Sequence, residues 1–557
     1  MTSRTSRFTK TGVVLAMLFM IGCRDADRSK ETDGASTPSR PKALNESHDA
    51  SAASSAAPAA TGTAAAESEP APSASGAAPQ ATSKRPPPKP NAVHENPFLE
   101  TASEPTSTFA VDVDTAGYTM VRALLKAGVL PPPGRIRIEE MLNYFRYSYP
   151  SPPDRAFGFM ADTTRAPWAP ERRIVRIGIK GREISAAARP RSNLVFLIDV
   201  SGSMLGADKL GLLKQGFALM IDKLDERDTV SIVTYAGKSG IALPPTKGNQ
   251  RAVILTALES LEPSGSTNGS QGIQSAYRIA AESFIQGGTN RVLVATDGDF
   301  NMGMTSRTDL QALIERMAAT GVYLTMLGFG RFNPEDKTME LLADKGNGNY
   351  TFIDSAAEAR RFLSRELTGT LVTIAKDVKV QVTWDPSTVR SYRLIGYENR
   401  KLAERDFNDD SKDAGEIGSG HTVTALYDVE PVRQSTAGQT FGKVSIRFKA
   451  PDADTSQLVE GDIPAGDETM SAVSTDFRFA TAVAAFGMVL RGSQHIGALT
   501  LDDVEALAAG ALGDDPEGER SEFVALVKRA KARKLVALRA LTRKKPPAPS
   551  AGIPLKF

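Results

Sequence analysis

The stretch LVFLIDVSGSM, residues 194–204, joins an apolar run to a cluster of oxygen-bearing side chains. Its first five residues are continuously apolar, which is typical of a strand that is buried on both faces. The run ends in Asp199, and Ser201 and Ser203 follow at once. Because ligands of an open α/β sheet bind outside the carboxyl ends of its strands, these three side chains are candidates for a functional site.

The surrounding segment, residues 191–368, alternates apolar strands with amphipathic helices. Besides the quoted strand, strands are predicted at TVSIVTYA (229–236), RVLVATDG (291–298), YLTMLGFG (323–330) and NYTFID (349–354), with a short edge hairpin strand at IALPP (241–245). Apolar strands that alternate with helices predict an α/β fold, a doubly wound, mainly parallel sheet flanked by helices.

The rest of the chain divides by composition into five further regions. We predict a signal peptide (1–23), a disordered Ala/Ser/Pro-rich tether (24–94), a small N-terminal α+β module (95–190), a C-terminal β-rich and helical domain (369–545) and a tail (546–557). The strand RRIVRIGIKG (172–181) is expected to join the C-terminal domain, because that domain has few strands of its own. The α/β domain would then be an insertion between them.

The N-terminus resembles a bacterial lipoprotein signal. Basic residues precede a short apolar stretch, TGVVLAMLFMIGC, that ends in Cys23, the only cysteine of the chain. The stretch is too short to span a bilayer. We expect lipidation at Cys23 and anchoring in the bacterial envelope at the outer membrane. The alternative is an ordinary signal peptide with an incidental cysteine.

Overall composition narrows the classes of function. The chain has 557 residues and a formal net charge of +2, so no strong charge points to nucleic acid, and no nucleic-acid partner is expected. A single cysteine excludes an internal disulfide. The four histidines are too dispersed to suggest a zinc site.

Two other segments are expected to meet the end of the quoted strand. Thr267 lies in a Gly/Ser-rich loop before a helix, and Asp297 ends another strand. Together with Asp199, Ser201 and Ser203, they offer only oxygen ligands, which hard divalent cations such as Mg²⁺ prefer. If the carboxylates act through water, the cation stays electrophilic and can receive a carboxylate from another molecule.

These five residues resemble the metal-ion-dependent adhesion site of von Willebrand factor A domains. The pattern DVSGS, then a loop threonine, then an aspartate in TDG has this family's order, and the spacings of 68 and 30 residues fit. The resemblance implies Mg²⁺ or Mn²⁺ as the cofactor and a protein partner that supplies a Glu or Asp. Further stretches, including STFAVDVDTAGYTMVRALL and DKGNGNY, are similar to the bacterial YfbK-like von Willebrand A lipoproteins.

Other functions and sites remain open as alternatives. The metal could only stabilise loops in a structural scaffold, and a metal-dependent hydrolase would need a general base that no motif supplies, so we do not expect an enzyme. The acidic stretch DVDTA (112–116) resembles a second metal motif but fits a helix cap better. DGDFNMG (297–303) lacks the glycine of a calcium loop, since Met302 stands there.

Overall fold

The computed structural model describes residues 94–236, 240–264, 270–298, 307–331, 336–363, 369, 371–432 and 438–543. All of them belong to one unit, residues 85–557. Two of the predicted site residues, Cys23 and Thr267, lie outside the described residues. Within these ranges, none of the helices combines the length and apolar character needed to cross a membrane.

The described chain mixes strands and helices throughout. The strands are β1 Leu99–Glu100, β2 Thr106–Ala110, β3 Phe157–Ala166, β4 Ala169–Gly181, β5 Ser192–Asp199, β6 Thr229–Tyr235, β7 Gly240–Lys247, β8 Thr289–Thr296, β9 Val322–Phe329, β10 Tyr350–Ile353, β11 Thr373–Trp384, β12 Val389–Ile395, β13 Lys401–Leu402, β14 Gly415–Gly418, β15 Thr422–Pro431, β16 Thr440–Lys449 and β17 Ser456–Pro464. The helices are α1 Ala116–Lys126, α2 Ile138–Asn143, α3 Leu210–Ile221, α4 Arg251–Glu259, α5 Ser270–Glu282, α6 Arg307–Ala319, α7 Asp336–Lys345, α8 Ala356–Arg361, α9 Thr475–Arg491, α10 Leu501–Ala509 and α11 Glu519–Arg543.

The α/β domain is built on a six-stranded sheet with the order β10-β9-β8-β5-β6-β7. Its strands are parallel except β7, which pairs antiparallel with β6 at the edge. Pro244 and Pro245 lie in this edge strand, where a missing backbone donor is tolerated. The predicted mainly parallel sheet is therefore confirmed.

Helices cover both faces of this sheet, and β5 shows why its sequence is continuously apolar. Leu194, Phe196 and Ile198 belong to the core cluster that contains α3, α4 and α8. The alternate residues Val195 and Leu197 belong to the core cluster that contains α5, α6 and α7. Burial on both faces fixes β5 in the centre of the sheet and therefore fixes the position of its carboxyl end.

A two-sheet β-sandwich carries the α/β domain as an insertion. One sheet has the order β1-β12-β15-β4-β3, and the other has the order β13-β2-β11-β16-β17, with β14 paired to β11. The strand β4 pairs antiparallel with β15, and β2 pairs antiparallel with β11. The segment before the α/β domain therefore shares its two sheets with the segment that follows it.

The helices α1, α2, α9, α10 and α11 form a further core that packs beside the sandwich. Three aromatic rings, Phe145, Phe479 and Phe523, contact one another edge to face with centroids 4.9–5.7 Å apart. The C-terminal helices thus pack against helices near the start of the described residues.

Candidate metal centre

Asp199 is the last residue of β5 and is completely buried. Its Oδ1 accepts the backbone N–H of Ser201 at 2.8 Å, so the chain turns sharply as it leaves the strand. A short 3₁₀ helix, Gly202–Met204, follows and carries Ser203. The local sequence DVSGSM therefore places both hydroxyls at the end of the central strand.

Neighbouring strands hold the second oxygen of Asp199. The hydroxyl of Thr296, at the end of β8, donates to Oδ2 at 3.0 Å, and the hydroxyl of Tyr235, at the end of β6, donates to it at 3.2 Å. Burial raises the pKa of Asp199 above its ordinary value, and hydrogen bonds from Ser201 and Thr296 oppose this shift. The carboxylate is thereby held rigidly in one orientation.

The two serines and Asp297 complete a continuous group of oxygen atoms. The Oγ atoms of Ser201 and Ser203 lie 2.8 Å apart, and the Ser203 hydroxyl donates to Asp297 Oδ1 at 3.4 Å. Asp297 follows β8 directly and is 6% exposed. The structure thus brings together Asp199, Ser201, Ser203 and Asp297, while Thr267 lies outside the described residues.

Lys209 also belongs to this site, although it is not among the residues that the sequence pattern identifies. Its Nζ donates to Asp297 Oδ2 at 2.7 Å and to the backbone carbonyl of Ser203 at 2.9 Å. The Lys209 side chain is 29% exposed, and the Asp297 side chain is 4% exposed. A basic residue just before α3 is an ordinary surface feature in the sequence, so no local signal marks its role.

The donor set fits a divalent cation of the Mg²⁺ or Mn²⁺ class. It consists of two carboxylates and two hydroxyls, all oxygen, at the carboxyl edge of a parallel sheet. The serine hydroxyls contact each other, and the Ser203 hydroxyl also donates to Asp297. The arrangement is suited to holding an ion at a fixed place.

The acidic stretch at residues 112–116 has a structural role. Asp112 Oδ1 accepts the N–H of Asp114 at 2.8 Å, and Asp114 Oδ1 accepts the N–H of Tyr350 at 2.8 Å. Arg400 pairs with both aspartates, at 3.2 and 3.4 Å. The expectation that this stretch caps α1 is wrong, because the carboxylate at the start of α1 belongs to Glu140 of α2, whose Oε2 accepts the N–H of Gly117 at 2.5 Å.

Three family profiles match the chain over consecutive segments. A profile described as von Willebrand factor matches residues 89–176, the von Willebrand factor type A domain matches residues 193–365, and a profile described as the C-terminal part of the uncharacterized protein YfbK matches residues 369–533. The type A match contains all five predicted metal-site residues.

The chain is also similar to individual proteins. The chain is 39% identical over 461 residues to the uncharacterized protein YfbK of Escherichia coli (strain K12), covering 78% of this chain and 80% of that protein. It is 25% identical over 190 residues to human inter-alpha-trypsin inhibitor heavy chain H3, covering 31% of this chain and 19% of that protein. Among solved structures, a von Willebrand factor type A protein from Catenulispora acidiphila aligns over 66% of this chain and 88% of its own, with 18% identity and a TM-score of 0.38.

Proposed function

The chain belongs to the YfbK family of von Willebrand A domain proteins, and on that premise we propose that it binds a protein partner through a divalent metal ion. The ion would be held by Asp199, Ser201, Ser203, Thr267 and Asp297. It would supply an open coordination position for a glutamate or aspartate of the partner.

The contacts around Asp199 carry this proposal. Its two oxygens are held by three hydrogen bonds, from Ser201, Thr296 and Tyr235, so the carboxylate is oriented before any ion binds. The hydroxyls of Ser201 and Ser203 lie beside it as neutral donors of electron pairs. Neutral ligands leave more positive charge on a bound cation than carboxylates would, which favours an acidic side chain as the incoming ligand.

Lys209 strengthens the requirement for an acidic partner. Its ammonium group neutralises part of the charge of Asp297, so the protein contributes less than two full negative charges to a 2+ ion. An incoming carboxylate would supply the missing charge. This balance supports recognition of acidic side chains.

The location that we propose is the bacterial envelope. Lipidation of Cys23 would anchor the chain at the outer membrane, and residues 24–94 would serve as the tether that gives the folded part its reach. Incorporation of labelled palmitate into the wild-type chain, and its loss in Cys23→Ala, tests this step. Equal labelling of both chains contradicts it.

The binding proposal is tested by affinity capture from envelope extracts with the purified chain. We expect a captured protein that is lost in EDTA, restored by Mg²⁺ and absent with Asp199→Ala. The matched control is Asp222→Ala, since that side chain is 61% exposed in the same domain. Capture that survives both chelation and Asp199→Ala would contradict the proposal. Mg²⁺ that raises the melting temperature without changing capture would favour the scaffold alternative.

A further inference from the structure

A second group of carboxylates lies far along the chain from the site described above. Asp377, Asp413 and Glu416 each offer a carboxylate oxygen, and these oxygens all lie within 4.8 Å of one another. Asp377 stands at an irregularity in β11, and Glu416 lies on β14, which pairs with β11. The group is therefore assembled within the sandwich by the pairing of two strands.

Glu416 is the member that most needs a partner. Its carboxylate oxygen Oε1 is buried and has no hydrogen-bond partner among the described residues. Burial, followed by the nearby Asp413 and Asp377, raises the pKa of Glu416 well above its ordinary value. A buried carboxylate oxygen without a partner is costly, so a positive charge at this position would be stabilising.

Three basic groups lie near the cluster, and two of them, Lys449 and Lys345, are engaged with other atoms. Lys449 Nζ donates to Asp377 Oδ2 at 2.8 Å and to the carbonyl of Asp410 at 2.6 Å. Lys345 Nζ lies 3.1 Å from Glu315 and 4.0 Å from Asp413. The third group, Arg291, is buried and interacts electrostatically with Glu416. Together these groups offset part of the negative charge, but Glu416 Oε1 still has no hydrogen-bond donor among the described residues.

We propose that Asp377, Asp413 and Glu416 bind a divalent cation of the calcium class, independently of the site at Asp199. Ca²⁺ takes carboxylate oxygens in a flexible geometry, which suits a cluster assembled at an irregularity of β11. The Asp413 side chain is half exposed, so water can complete the coordination.

Calcium titration of the purified full-length chain by calorimetry tests this assignment. We expect Asp199→Ala to bind Ca²⁺ at this site with the affinity of the wild-type chain. We expect Glu416→Gln to bind Ca²⁺ there at least tenfold more weakly. Asp413→Asn, at an exposed position that tolerates change, is expected to weaken binding in the same direction. Asp454→Asn is the matched control, because that side chain is fully exposed nearby.

A melting experiment gives a second readout. Ca²⁺ is expected to raise the melting temperature of wild type and Asp199→Ala but not of Glu416→Gln or Asp413→Asn. If Asp199→Ala takes up no Ca²⁺, or if both carboxylate variants bind it as wild type does, the assignment is wrong. Should Glu416→Gln fail to fold, Asp413→Asn alone decides between these outcomes. None of the results depends on a protein partner, so the proposed function stands or falls separately.

Discussion

Replacing Lys209 by methionine tests the charge balance of the candidate metal centre. The substitution keeps a long apolar side chain and removes the ammonium group that lies 2.7 Å from Asp297 Oδ2. The full charge of Asp297 then becomes available to a cation. We therefore expect Lys209→Met to bind Mg²⁺ more tightly than wild type.

The magnitude follows from the repulsion between Lys209 and a bound ion. Two unit charges 4 Å apart interact by about 1 kcal/mol in water, so an ammonium group and a 2+ ion at that separation repel by about 2 kcal/mol. The Lys209 side chain is 29% exposed, and salt screens part of this energy. A net gain of about 1.4 kcal/mol corresponds to about tenfold tighter Mg²⁺ binding.

Calorimetric titration with Mg²⁺ and with Mn²⁺ measures the effect. Lys214→Met is the matched control, since Lys214 lies in α3 and donates to the carbonyl of Glu259 at 2.6 Å. The gain in Lys209→Met should shrink as ionic strength rises, while Lys214→Met stays at the wild-type value. Unchanged or weaker binding by Lys209→Met would refute the reasoning and would assign Lys209 to holding the loop at Ser203.

Three further predictions concern stability. Burial, and then the nearby carboxylate of Glu398, raises the pKa of Glu139 from 4.5 to about 7. Between these values the folded chain holds a proton that the unfolded chain releases, so the melting temperature should fall as the pH rises from about 5 to 7. Glu139→Gln should make this fall smaller. A Cβ at Gly348 would lie 1.6 Å from the carbonyl oxygen of Leu324, so Gly348→Ala should lower the free energy of unfolding, measured in urea, by more than about 3 kcal/mol. Gly134 has open space around it, so Gly134→Ala should change this free energy by less than about 1 kcal/mol. Arg122→Met removes the buried guanidinium that pairs with Asp354 and Glu358, and it should lower the free energy of unfolding by about 3–5 kcal/mol. An unchanged melting temperature would contradict this prediction.

In the α/β domain, the sequence predicts those strands and helices whose apolar pattern is clear within the element itself. Its strands are recognisable because both faces are apolar. The helix α7 is not predicted, since acidic residues such as Asp336 and Glu340 interrupt a short apolar face. That face consists of Met339, Leu342 and Ala343 at the spacing of one helical turn. Here tertiary packing decides the helix, and the local composition is a weak guide.

The sandwich illustrates what local pattern leaves open. Phe109 in β2 pairs with Val380 in β11, on the far side of the whole inserted domain. Alternation along each strand indicates a half-buried surface but does not specify its partner. For the same reason Lys209 escapes sequence reasoning, because its importance comes from a contact with Asp297, a residue on a different strand end.

The two candidate ion sites lie at opposite ends of β8, which makes them separable by experiment. Asp297 follows the carboxyl end of this strand, and Arg291, near its amino end, interacts electrostatically with Glu416. Six residues of strand separate Arg291 from Asp297, which is about 20 Å. Because the Debye length is about 8 Å at physiological salt, ions at the two places would barely repel each other. Loss of one ion should therefore leave the affinity for the other unchanged, and a measured coupling between Asp199→Ala and Glu416→Gln would require movement of β8 itself.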